Sequence, residues 1–280
     1  MGEPDAPQRD ARLGDAFVED ALLGGAVRLL QAAGGHRAGT DAVLLAQLAD
    51  LRRGDRVVDL GSGSGAVALM LGRRDPAAEL LLLERQPEAA ELARRNVELN
   101  AMGVRARVVE ADLFASRRER VAAGLPAGAA DLVVTNPPFA DRAERASLDP
   151  ARRAAHAMSG GGLAEWLATA AECLKPRGRL HLIHRADRLA DCLEALRPAF
   201  GSVRVTPVLP GVERDAVRVL IAAVRGGRAP LALAAPLVLM GEDGRFAPRA
   251  AALHTRPEFV GGQPPGLVTP EGQETRPASP

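Results

Sequence analysis

The sequence predicts an α/β fold, a mostly parallel sheet with helices on both faces and an antiparallel pair at one edge. Two observations carry this. Short apolar runs of strand length alternate with stretches of helix length through the middle of the chain, and two late apolar runs follow one another with no helix between them.

The strand runs are "RVVDL" (56–60), "ELLLLER" (79–85), "ARVVEAD" (106–112), "DLVVTN" (131–136) and "RLHLIHR" (179–185). Helical stretches separate them: "GAVALMLGRR", "PEAAELARRNVELNAMG" and "GLAEWLATAAECLKPRG". The second opens on Pro87 at a first-turn position and is expected to close at Gly103. "SVRVTPVLP" (202–210) and "AVRVLIAAVR" (216–225) are the antiparallel edge pair. "LALAAPLVLMGEDGRFAP" (231–248) reads as a small β appendage with a Gly-Glu-Asp-Gly turn. Residues 1–14 and 258–280 are polar or Pro/Gly-rich and are expected to lack a fixed fold. Between them lies one domain, 15–257, with a helical segment over 15–52, a core over 53–225 and the appendage over 226–257.

Composition narrows the class. The chain has 280 residues, 47% hydrophobic and 25% charged, the balance of a soluble globular protein. Its formal net charge of +1 supplies no overall field toward nucleic acid, so any basic surface must be local. No apolar stretch approaches the roughly 18 residues of a membrane span, and no basic-then-apolar leader opens the chain, so a cytoplasmic protein is expected. Cys173 and Cys192 have no metal-ligand spacing and read as small buried hydrophobes. No metal is expected.

"VVDLGSGSGAVALM" places Asp59 at a strand end, then Gly61, Ser62, Gly63 and Gly65 in a turn, then a helix. Glycines let such a turn take positive φ and let a ligand lie against the N–H groups of the helix start. A turn of this kind serves dinucleotides, flavins and S-adenosylmethionine alike. Glu84 ends the second strand about 20 residues on, where a carboxylate can hold ribose hydroxyls. Asp112 ends the third, expected beside the sheet's switch point, where an adenine amine could be read. Their structural alternatives are a solvated strand-end carboxylate and a turn cap. Together the three features favour a nucleoside-bearing cofactor.

The fourth strand runs into Asn136-Pro137-Pro138-Phe139. A residue before proline is held extended, and neither proline has an N–H. The corner therefore offers two fixed acceptors, the Asn136 side-chain oxygen and the Pro137 carbonyl, with an aromatic plane beside them. An exocyclic amine has two N–H donors to match, and Phe139 can stack on the ring that carries it, for roughly 1–3 kcal/mol per base. A stiffened turn with a core Phe would explain the prolines but not Asn and Phe in one register.

With these residues the chain resembles the class I S-adenosylmethionine-dependent methyltransferases, specifically amino-methylating ones with an Asn-Pro-Pro-aromatic motif. The resemblance spans about residues 20–250. "LLQAAGGHRAGTDAVLLAQLA" and "LIHRADRLADCLEAL" are similar to segments of bacterial tRNA(Val) adenine-37 N6-methyltransferases. The resemblance implies a Rossmann-like sheet of seven strands and S-adenosylmethionine as cofactor. It also implies that Gly61, Ser62, Gly63 and Gly65 pass the methionine part, that Asp59 steadies the turn, and that Glu84 binds the ribose. Asp112 and Leu113 would flank the adenine, Asn136 would border the cofactor, and Thr40 and Asp41 would close the pocket from above, Thr40 also as a helix N-cap. The motif's aromatic is Phe139 where Tyr is common, which removes a hydroxyl but keeps the plane. Trp166, at helical spacing with Leu163, Leu167 and Ala170, reads as core.

The implied partner is RNA, most naturally tRNA, methylated on adenine N6. Arg142, Arg145, Arg152 and Arg153 follow the corner and are candidates for phosphate contacts, diluted by Asp141, Glu144 and Asp149. The rivals within the fold are a protein glutamine amide, as in release-factor methyltransferases, and guanine N2 of ribosomal RNA. From other classes come a nicotinamide-dependent dehydrogenase, which gives Asn136-Pro-Pro-Phe no role, and a non-catalytic nucleotide-binding module.

Overall fold

The computed structural model describes residues 17–33, 38–138 and 162–255. A hairpin of β1 (Phe17–Leu22) and β2 (Val27–Ala32) comes first, then α1 (Thr40–Leu48). The segment expected to be helical over 15–52 is thus a hairpin followed by a helix. β2 buries Val27, Leu29 and Leu30, and this mixed burial gave no clean strand alternation to read.

The core alternates as expected: β3 (Arg56–Leu60), α2 (Ala66–Arg74), β4 (Glu79–Glu84), α3 (Pro87–Leu99), β5 (Ala106–Glu110), α4 (Arg117–Ala123) and β6 (Ala130–Thr135). After the undescribed stretch come α5 (Leu163–Cys173), β7 (Leu174–Arg185), a short 3₁₀ turn (Ala186–Arg188), α6 (Leu189–Leu196), β8 (Phe200–Gly211) and β9 (Arg218–Arg225). The appendage supplies β10 (Ala232–Leu233), β11 (Leu237–Met240) and α7 (Pro248–Thr255).

The sheet runs β10-β8-β9-β7-β6-β3-β4-β5, with β11 also on β8. Among its described strands β9 alone is antiparallel, inserted between β7 and β8. The seven expected core strands are therefore β3 to β9, and β10 and β11 extend them to nine along β8. The antiparallel pair is present, but the appendage rather than the pair forms that sheet edge.

Burial on both faces explains why the strands read as unbroken apolar runs. Val57, Leu80, Leu82, Leu132 and Ile183 pack toward α1, α2, α3 and the hairpin. Val58, Leu60, Leu81, Leu83, Val133 and Leu182 pack toward α5, α6 and the start of β8.

Two helix ends fall short of their sequence limits. α3 stops at Leu99, where Ala101 takes φ +53° and a Schellman closure forms: Met102 N–H bonds Val97 O and Ala101 N–H bonds Glu98 O, each at 2.9 Å. An alanine accepts the left-handed position that Gly103 was expected to fill. α5 stops at Cys173 because Pro176 forces Lys175 into extended backbone, so β7 begins at once.

Candidate active site

Strand register brings the predicted residues to one edge. Leu60 pairs with Leu83 on one side and Thr135 on the other. The next residues, Glu84, Gly61 and Asn136, therefore stand in one row at the carboxyl ends of three adjacent strands, about 4.8 Å from strand to strand. The chain reverses direction across the sheet between β3 and β6, which makes Gly61 and Asn136 the two sides of the switch-point crevice.

The turn after β3 is built for close approach. Gly61, Gly63 and Gly65 have φ of +72°, +54° and +88°. Gly61 and Ser62 N–H both donate to Leu83 O at 2.9 Å, tying the turn to the neighbouring strand. A Cβ on Gly61 would lie 2.8 Å from the Trp166 ring, and one on Gly65 2.7 Å from Leu82. A Cβ on Gly63 would meet nothing within 4 Å, so Gly63 faces open space. The Ser62 hydroxyl is buried and has no hydrogen-bond partner among the described residues.

Two carboxylates hold this turn and the helix that follows it. Glu84 accepts from Gly63 N–H with one oxygen and from Arg85 and Gln86 N–H with the other, all at 2.9 Å. Asp59, 2% exposed, accepts from Ala68 N–H at 3.1 Å and so fixes the first turn of α2. Burial pushes its carboxyl up to about 7; the Ala68 bond works against this and the nearby Glu84 charge adds to it.

The other predicted residues are placed less simply. The switch point is two strands from β5, so Asp112 is not beside it. β5 ends at Glu110, and Asp112 lies two residues on, its carboxylate accepting from Phe114 N–H at 2.9 Å in a side-chain turn. The cap reading of Asp112 is thus realised. Leu113 is buried in the core, and its carbonyl accepts from Arg120 and Thr169. Thr40 is the first residue of α1, but the cap is Gly39, which accepts from Ala42 and Val43 N–H through its carbonyl, and Thr40 makes no side-chain cap. Asp41 is ion-paired to Arg218 Nε at 2.8 Å, which pins the start of α1 to the start of β9 at the carboxyl end of the sheet. Asn136 is half-buried, Pro137 buried and Pro138 exposed. Phe139, Arg142, Arg145, Arg152 and Arg153 lie outside the described residues.

Trp166 is a core residue as expected, with a task sequence reasoning did not assign. Its Nε1–H donates to Thr135 Oγ1 at 2.9 Å, and Thr135 donates to Leu60 O at 2.8 Å. This chain joins the ends of β3 and β6 and sets the indole beneath Gly61. Only the absence of a side chain at Gly61 pointed to it in the sequence. Cys173 and Cys192 are both buried and unbridged, and burial pushes each thiol up to about 12. Among the described residues no group of three or more His, Cys, Asp or Glu is placed to hold a metal, and no helix is long and apolar enough to cross a membrane.

Residues 35–208 match the model of the methyltransferase small domain. The chain is 31% identical over 192 residues to a tRNA1(Val) (adenine(37)-N6)-methyltransferase of Aeromonas hydrophila, covering 68% of this chain and 77% of that protein. Among solved structures it resembles one described as a predicted O-methyltransferase from Agrobacterium tumefaciens, at 33% identity and a TM-score of 0.66, over 79% of this chain and 99% of that one. A putative transferase from Pyrococcus horikoshii shares the fold alone, with 14% identity and a TM-score of 0.50, over 76% and 73% of the two chains.

S-adenosylmethionine suits the turn described above. The open side of Gly63 admits a ligand against the backbone, and the Ser62 hydroxyl offers a hydrogen bond that the described residues leave unused. The chain belongs to the methyltransferase small-domain family and is an S-adenosylmethionine-dependent methyltransferase.

Proposed function

We propose that the protein methylates an exocyclic amino group on an sp² carbon, and that this group is N6 of an adenine beside the anticodon of a tRNA. One observation carries the reading: Asn136-Pro137-Pro138 leaves β6 directly beside the Gly61 turn, so an amine held at the corner lies next to the cofactor cradle. The similarity to the Aeromonas hydrophila protein supports adenine in tRNA as the acceptor. A hydroxyl acceptor would bring one donor to a corner that has two acceptors.

S-adenosylmethionine, when bound, supplies an electrophilic methyl on a sulfonium. The cradle that would hold it is Gly61 to Gly65, with Glu84 toward the ribose and Asp112 toward the base. The Asn136 side-chain oxygen and the Pro137 carbonyl accept the two N–H bonds of the target amine and turn its lone pair out of conjugation. Methylation would leave the target nitrogen cationic and its N–H strongly acidic. The hydrogen bond to the Asn136 side-chain oxygen would hold that proton until bulk solvent takes it as the product leaves, so no strong base is required. Catalysis is mainly positioning, in a pocket that excludes water. The target base must leave its stack, at a few kcal/mol, less in a single-stranded loop. Phe139 is the stacking plane in this reading, and Arg142, Arg145, Arg152 and Arg153 are the phosphate contacts.

The test is transfer of labelled methyl to unmodified tRNA, followed by mass spectrometry of the nucleosides. N6-methyladenosine confined to one tRNA is expected, with loss of about 10²-fold or more in rate for Asn136→Ala at saturating cofactor. A full rate in that variant, or label recovered only in a release-factor peptide, would overturn the assignment.

A further inference from the structure

The N-terminal hairpin is fastened to α3 by two asparagines. Asn96 and Asn100 are one turn apart on one face of the helix, and each pairs with the outer edge of β2. Asn96 Oδ1 accepts from Leu30 N–H at 2.7 Å and its Nδ2 donates to Leu30 O at 2.9 Å. Asn100 Oδ1 accepts from Arg28 N–H at 3.0 Å and its Nδ2 donates to Arg28 O at 2.7 Å. The spacings match: four helical residues rise about 6 Å and two strand residues about 6.6 Å. Two carboxamides thus imitate a partner strand for an edge that would otherwise be unpaired.

The two asparagines differ in one respect. The second Nδ2 hydrogen of Asn100 goes to Asn96 O, within its own helix, at 2.8 Å. That of Asn96 goes to Ser64 O, at 3.0 Å, inside the Gly61–Gly65 turn. Asn96 is fully buried, and its Oδ1 and both Nδ2 hydrogens are engaged by Leu30 and Ser64. Ser64 O belongs to the peptide that leads into Gly65, where φ is +88° and no side chain restrains rotation. Holding that carbonyl toward α3 keeps it off the ligand side of the turn. The same hairpin reaches the start of α1: Gln31, beside Leu30, is 2% exposed, donates to Asp20 and accepts from Ala38 N–H, each at 2.5 Å.

We propose that Asn96 is a positioning residue for the cofactor, and that the hairpin is a brace whose order is coupled through this one carboxamide to the geometry of the Gly61–Gly65 turn. The proposal rests on the reading of that turn as the cofactor cradle. Coupling of this kind is reciprocal: a ligand that orders the turn must also tighten Leu30.

Asn100→Ala is the internal control, because it opens the same hairpin edge without touching the turn. Calorimetric titration with S-adenosylhomocysteine is expected to give about a tenfold weaker Kd for Asn96→Ala, the effect of losing one buried hydrogen bond, and a change under twofold for Asn100→Ala. Equal losses in the two variants would reduce Asn96 to a hairpin clamp and overturn the proposal. The wild-type protein gives a second reading that needs no variant. Added S-adenosylhomocysteine is expected to slow hydrogen exchange at the Leu30 amide at least threefold more than at Arg28, and equal slowing, or none, would overturn the proposal too. Gly63→Val separates the premise: if it binds S-adenosylhomocysteine as tightly as wild type, the cradle is elsewhere and the inference falls with it.

Discussion

Replacing Asp59 with asparagine removes a buried ionisable group while keeping an oxygen that can accept from Ala68 N–H. Burial raises the Asp59 carboxyl from the ordinary 3.8 to about 7 in the folded protein. Between these two pH values the folded state holds a proton that the unfolded chain has already released. Raising the pH through this window therefore destabilises the wild type, by about 1.4 kcal/mol per unit. The stabilisation is fully present below about pH 4 and is lost once the pH passes about 7. The accumulated difference is on the order of 4 kcal/mol. An amide at this position cannot titrate, so the stability of Asp59→Asn minus that of the wild type should climb from about pH 4 to 7 and level off above about pH 8. Urea unfolding followed by circular dichroism across roughly pH 4.5 to 9 measures this. Other titrating groups, such as His181, which burial pushes down to about 4, cancel in the difference. Any fixed cost of the new amide shifts the curve without changing its slope. A flat difference across the range would refute the claim that Asp59 is held in a desolvated site behind the turn.

Gly61→Ala should cost about 1–3 kcal/mol of stability through overpacking against the Trp166 ring, 2.8 Å from the new methyl, in a backbone with φ +72°. It should also shift the fluorescence of Trp166, the single tryptophan, and weaken S-adenosylhomocysteine at least tenfold; unchanged emission and affinity would show that the indole does not support the turn. Arg179→Met strands a buried carboxylate, since Arg179 Nη2 bonds both oxygens of Asp55 at 2.7 Å and both side chains are almost fully buried. A loss of about 3–5 kcal/mol by urea denaturation is expected, and one below about 1 kcal/mol would mean that water reaches the pair.

Local chemistry made the sheet legible. Apolar runs such as "ELLLLE" are buried on both faces whatever lies beside them, and Pro87 starts a helix by its own fixed φ. The two misplaced helix ends were settled by single residues: Ala101 took a left-handed cap, and Pro176 forced an early strand. The hairpin was hidden because the partner on the outer edge of β2 is not a strand. Asn96 and Asn100 supply that pairing from a helix, and no strand pattern in the sequence announces it.

The site divides in the same way. By itself the sequence determined which groups exist: three glycines able to take positive φ, a carboxylate at the end of the second strand, and an Asn-Pro-Pro corner after the fourth. These follow from residue type and distance along the chain. Tertiary structure alone decided which of them meet. The register Leu83–Leu60–Thr135 aligned Glu84, Gly61 and Asn136 in one row, whereas the strand order set Asp112 two strands from the switch point. Trp166 beneath Gly61 and Asn96 behind Ser64 lie 105 and 32 positions from the residues they support (166 − 61 and 96 − 64). Their roles arise from contact across packed elements, and sequence periodicity carries no record of such contacts.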